Sequence, residues 1–106
     1  MDKILTNMKS NFSEIIKGET VTLVDFYADW CGPCKTLAPI LKDTKTSLGD
    51  KVKIVKIDVD KNQELSSNYQ VRGVPTLILF KDGKQVWRQS GVLPKEELVR
   101  IIESHF

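Results

Sequence analysis

The run V-T-L-V-D-F-Y at Val21–Tyr27 constrains this chain more than any other stretch. β-Branched and aromatic residues follow one another there with almost no polar alternation, as in a strand covered by packed layers on both faces. Such a strand needs helices above and below it, so the fold class expected is α/β. Asp25 breaks the run with a carboxylate, which a buried strand does not keep without a reason.

The flanking patterns agree with that class. Residues 1–5 read as a short strand, followed by a helix that Asn11 opens as N-cap with Glu14 three residues on, turning Phe12, Ile15 and Ile16 inward. After Cys31, the positions Leu37, Ile40, Leu41, Thr44 and Leu48 fall on one helical face. Pro39 lies inside that helix and is expected to bend it, because it removes a donor and crowds the carbonyl of Lys35. Residues 52–59 alternate as a strand, 62–69 make a short helix, and Pro75 precedes the apolar run 77–80. The D-G pair at Asp82 and Gly83 turns that strand back into residues 85–90, and Leu98, Ile101 and Ile102 share a face of a last helix. The order β-α-β-α-β-α-β-β-α predicts one mixed sheet of about five strands with about four helices on both faces. A single domain over residues 1–106 is expected, since that length buries an adequate core unaided.

Charge and cysteine usage narrow the function. Sixteen lysines and arginines against 14 acidic residues leave a net charge of +2, and no basic run forms a stripe that would track phosphates. Nucleic acid is not expected as a partner. No basic start leads into an apolar core resembling a secretory leader, and no stretch of eighteen apolar residues occurs, so a cytoplasmic protein without a membrane contact is expected. The two cysteines, Cys31 and Cys34, close too short a loop to be worth much as a staple. Their value is expected to be chemical.

Residues 30–34, W-C-G-P-C, follow the central strand directly, where open α/β sheets place their reactive groups. If Cys31 is the N-cap of the next helix, the unpaired amides and positive end of that helix stabilise its thiolate and make it the nucleophile. Gly32 permits the tight loop, and Pro33 suits a first turn where its missing donor has no partner to lose. Cys34, one turn further in, is placed to attack a mixed disulfide on Cys31 while shielded from outside reagents. No G-x-G-x-x-G stretch marks a nicotinamide or flavin site, so the electrons are expected from a separate protein.

W-C-G-P-C after V-D-F-Y-A-D, with Lys56 in the third strand, Pro39 in the long helix and R-G-V-P-T before the fourth strand, resembles the thioredoxin family almost from end to end. The resemblance implies a thioredoxin fold and a protein-disulfide oxidoreductase that carries electrons to client proteins and maintains cell redox balance. It implies no bound cofactor or metal, only a redox-active Cys31–Cys34 disulfide. It also implies that Pro75 is cis beside the dithiol, and that the Val74 backbone pairs with an incoming peptide. Asp25 becomes the buried carboxylate behind Cys34, with Lys56 near it, and Gly73, Val74, Gly91 and Val92 join the docking surface around Cys31. An NADPH-dependent thioredoxin reductase is the implied donor, disulfide-bearing proteins are the clients, and a monomer is expected. Gly-Pro between the cysteines implies a reductant. Tyr27 departs from the family, where tryptophan is frequent, and so does Pro94, where a capping serine often begins the last helix. Trp87 is also unusual, and surface or edge packing is its expected place.

Rival readings exist. Half a zinc site would need four ligands, and His105 adds only a third, so redox chemistry is preferred and His105 is read as a solvated terminal residue. Asp25 read as merely structural is set against its catalytic reading. Trp30 is left open between core and docking surface, while Tyr69 and Trp87 are expected to pack. A docking module with dispensable thiols would survive the loss of both cysteines, whereas a catalyst would not. An exported relative would carry a leader.

Overall fold

The computed structural model describes residues 4–6 and 12–106, so the first three residues of the strand expected over residues 1–5 and the N-cap expected at Asn11 lie outside the described residues. The elements are β1 (Ile4–Thr6), α1 (Phe12–Ile15), β2 (Val21–Tyr27), α2 (Gly32–Leu48), β3 (Val52–Asp58), α3 (Gln63–Asn68), β4 (Thr76–Lys81), β5 (Lys84–Ser90) and α4 (Lys95–Glu103), with a 3₁₀ turn at Gly49–Lys51. The expected order therefore holds. The sheet runs β1-β3-β2-β4-β5. β3 is parallel to both β1 and β2, while β4 is antiparallel to β2 and β5 to β4. The D-G turn joins β4 to β5 with φ of 53° at Asp82 and 80° at Gly83, the paired left-handed conformation that suits a twisted two-residue hairpin.

Alternation along β2 separates two cores. Val21 and Leu23 pack with Ile54, Leu77 and Leu79 beneath Leu37 and Leu41 of α2 and Leu98 and Ile102 of α4. Val24 and Phe26 face the other way, with Val55, Ile57, Ile78 and Phe80, against Phe12, Ile16 and the Tyr69 ring. That ring meets Phe80 edge-on at 5.4 Å between centroids. Emptying a site such as Leu37 would cost about 2–5 kcal/mol, because a packed layer relaxes only in part. The near-continuous apolarity of β2 thus has its expected cause, and Asp25 shares the face of Val21 and Leu23 that looks toward α2.

Three departures from local expectation have their outcome here. Trp87, opposite Leu79 on β5, is half-buried against the α2–α4 core and closes that layer at the sheet edge. Pro94 stands at the N-cap of α4 with no side-chain cap; its carbonyl accepts from Leu98 at 3.1 Å, and Glu96 and Glu97 place negative charge in the first turn. His105 corrects the reading of a solvated residue. It is half-buried, with Nδ1 3.0 Å from the Ile101 carbonyl and 3.2 Å from Ser104 Oγ, because the end of α4 leaves carbonyls that an imidazole N–H can satisfy.

Candidate active site at the start of α2

β2 lies in the middle of the sheet, and the chain leaves its carboxyl end to begin α2, so the helix N-terminus follows the end of the central strand. Cys31 is the N-cap, in extended conformation, and its Sγ accepts the Cys34 N–H at 3.1 Å. Gly32 and Pro33 form the first turn, and α2 continues unbroken through Pro39. Cys31 and Cys34 are joined as a disulfide with Cα atoms 5.3 Å apart.

Burial does not separate the two sulfurs in this oxidised form. Cys31 is 4% exposed and Cys34 5%, so the shielding expected of Cys34 is shared by Cys31 and does not set the two apart. The cause is packing: both pack with Ala28 under a rim of Tyr27, Val59 and Val74. What distinguishes the sulfurs is the cap, since only Cys31 Sγ receives a helix amide. Cys34 is distinguished in another way. It lines an open cleft of about 150 Å³ together with Tyr27, Lys35 and Lys56.

Behind that cleft, Asp25 pairs in register with Lys56 across β2 and β3 and with Leu77 across β2 and β4. It is fully buried, and neither carboxylate oxygen has a hydrogen-bond partner among the described residues. Burial pushes the carboxyl up to about 7, against the Lys56 ammonium, which pulls it down. Lys56 itself reaches over the Tyr27 ring, its Nζ 4.7 Å from the centroid, so tyrosine serves here as a seat for the ammonium. A carboxyl that titrates near neutrality inside an apolar layer can take or give a proton where ordinary carboxylates cannot.

On the other flank, Trp30 is 70% exposed, which settles its place on the surface, and its Nε1–H donates to Asp60 Oδ2 at 2.8 Å. Trp30, Gly73 and Val74 share an apolar recess of about 110 Å³ with Val59, Val71 and Arg72. The Val74–Pro75 peptide bond is cis, as the resemblance implies. Gly91, at φ 98°, donates its N–H to the Pro75 carbonyl at 3.0 Å, and Val92 beside it is exposed. Val74 thus packs against the cysteine cluster and shares its recess with Trp30 and Gly73, Lys56 lines the Cys34 cleft with Asp25 beside it in register, and Gly91 is tied to Pro75. Sequence reasoning missed Val59 and Asp60. Their signal was position: Val59 N–H bonds to the Tyr27 carbonyl at 2.9 Å, just past the carboxyl end of the strand next to β2. Among the described residues no three His, Cys, Asp or Glu side chains gather as a set that could hold a metal.

The thioredoxin family model matches residues 3–104. A thioredoxin of Bacillus subtilis is 51% identical over 87 residues, which cover 82% of this chain and 84% of the relative. The chloroplastic thioredoxin Y of rice is 47% identical over 96 residues, covering 90% of this chain, which spans 57% of that longer protein. Among solved structures, a point mutant of a thioredoxin from Halobacterium salinarum superposes with a TM-score of 0.88 at 42% identity, over 98% of this chain and 91% of that one.

Proposed function

The chain belongs to the thioredoxin family, a dithiol–disulfide oxidoreductase family with a redox-active C-x-x-C pair, and from that premise we propose that Cys31 attacks client disulfides and Cys34 resolves them. The observation that carries this division of labour is the cap: the amide that bonds Cys31 Sγ would stabilise a thiolate on that sulfur alone. In the reduced protein the Cys31 thiolate attacks one sulfur of the client disulfide, forming a mixed disulfide and releasing the other client sulfur as a thiolate. Cys34 then gives up its proton toward Asp25 and attacks Cys31 Sγ, which frees the second client sulfur and leaves the protein oxidised. Two electrons pass to the client in one cycle.

Family members are recharged by thioredoxin reductase, and we take the reductase here to be NADPH-dependent. A reductant of this kind works where thiols are kept reduced, so its place is the cytoplasm, acting as a monomer that carries electrons between reductase and client. Trp30, Gly73, Val74, Pro75, Gly91 and Val92 form the surface on which the client chain lies, with the Val74 backbone pairing to it. Support for that surface comes from the exposed indole and the apolar recess beside it.

An insulin-reduction assay with NADPH and a thioredoxin reductase tests the function. Turbidity that rises with NADPH consumption is expected, and no insulin reduction by a fully reduced sample would overturn the proposal. A second measurement tests the roles. In the reduced protein near neutral pH, iodoacetamide is expected to alkylate Cys31 at least about tenfold faster than Cys34, since only the capped sulfur gains thiolate character from the helix end. Equal rates at the two positions, read by peptide mass spectrometry, would contradict the assignment.

A further inference from the structure

The recess beside Trp30 does not end at Arg72. Val59, Val71 and Arg72 also line a larger open cleft of about 460 Å³ that runs along α3. Val59 packs against the cluster of Ala28, Cys31 and Cys34 as well, so one side chain joins that cluster to both depressions. A client chain seated on the recess continues directly into this cleft.

The cleft has a definite chemistry. Gln63, Ser66, Ser67 and Gln70 give it neutral polar walls, and the Ser66 hydroxyl is spent on the Asn62 carbonyl at 2.9 Å. Among the described residues, Arg72 is the one charged group that lines it. Its side chain is exposed, and its guanidinium makes no ion pair or hydrogen bond with any described residue. Arg88 is engaged by contrast, donating to the Tyr69 carbonyl at 2.5 Å and the Gln70 carbonyl at 2.9 Å. Those two bonds hold the turn out of α3, where Gln70 has φ of 55°, so the wall that carries Arg72 is braced before a client arrives.

We propose that the cleft along α3 is a second client subsite, in which the Arg72 guanidinium takes a carboxylate side chain of the client near its disulfide. A lone cation among neutral walls is complementary to an anion and offers nothing to a lysine. The inference rests on the reductant reading above and adds a preference among clients.

The test uses peptides bridged by one disulfide and differing only in glutamate or lysine, placed in turn at each position flanking the cystine, with hydroxyethyl disulfide as a small neutral substrate. The ratio of kcat/KM for the best glutamate peptide over its lysine twin is expected to be about 2–5 in the native protein. It should fall as salt rises toward about 1 M. Arg72→Ala is expected to bring the ratio near one, and Arg72→Glu to invert it, each ratio being taken within one variant so that any change in its basal reduction of hydroxyethyl disulfide cancels. Lys42→Glu, the same charge change on the exposed side of α2, leaves the ratio as it was. A ratio that Arg72→Glu does not move, or that Lys42→Glu moves equally, overturns the subsite while leaving the reductant standing. Failure of the native protein to reduce even hydroxyethyl disulfide would overturn the reductant reading and the subsite together.

Discussion

Replacing Cys34 by serine is expected to abolish turnover while leaving the first exchange intact. Cys31 keeps its cap geometry in that variant, because the N–H it accepts belongs to the backbone of residue 34 and survives the substitution. The variant therefore still attacks a client disulfide, but no thiol follows to release the product, and the mixed disulfide persists. Turnover is expected to fall by on the order of 10³-fold or more, as it does when one member of a catalytic unit is removed. Client and protein should then be recovered as one-to-one adducts on a non-reducing gel, and should separate when dithiothreitol is added. Cys31→Ser is expected to lose turnover as well, without adducts. Adducts through Cys31→Ser, or none through Cys34→Ser under mild oxidation, would reverse or remove the assigned roles.

The parts of this architecture legible in the sequence were those where one residue type carries one physical meaning. The apolar run at Val21–Tyr27 required two covering layers, and the structure supplies α2 and α4 on one face and α1 and α3 on the other. Asp82 and Gly83 required a tight hairpin, and both adopt positive φ. Groups whose meaning depends on distant partners were not legible. Lys45 falls on the helical face of α2 beside Thr44, yet it is buried, with its ammonium donating to the carbonyls of Gly49 and Val52 at 2.8 and 2.7 Å. No local pattern distinguishes such a lysine from a solvated one, because the acceptors exist only once the 3₁₀ turn and β3 have formed. The same holds for Asp60, which reads as one more polar loop residue until the fold brings the Trp30 indole to it. Burial of Cys31 has no local signal for a related reason. Val59 and Val74, which pack against the cluster of Ala28, Cys31 and Cys34, arrive from loops far along the chain.

Asp25 should cost the oxidised protein stability at neutral pH, and removing its charge should return it. The carboxyl is pushed from an ordinary value of 3.8 up to about 7 by burial, against the lowering effect of Lys56, so the native state holds its proton more tightly than the unfolded chain does. Between those two values the unfolded chain has lost the proton and the native protein retains it. Stability is therefore fully present below pH 3.8 and is lost as pH rises through about 7. Asp25→Asn and Asp25→Ala have no proton to lose and escape this penalty. Their advantage over the native protein is expected to be larger at pH 7 than at pH 4 by on the order of 3 kcal/mol. Denaturant unfolding curves of the oxidised proteins at the two pH values measure it. The same substitutions are expected to slow disulfide reduction, by roughly 10²-fold if Asp25 takes the Cys34 proton in the resolving step. Excess reductase keeps recharging from limiting that rate. The buried carboxylate has no hydrogen-bond partner among the described residues, so a purely structural role would leave the rate alone and could not account for its retention inside an apolar layer. A variant that reduces clients at the native rate and shows no pH-dependent gain would mean that Cys34 loses its proton through the cleft shared with Tyr27 and Lys56 instead.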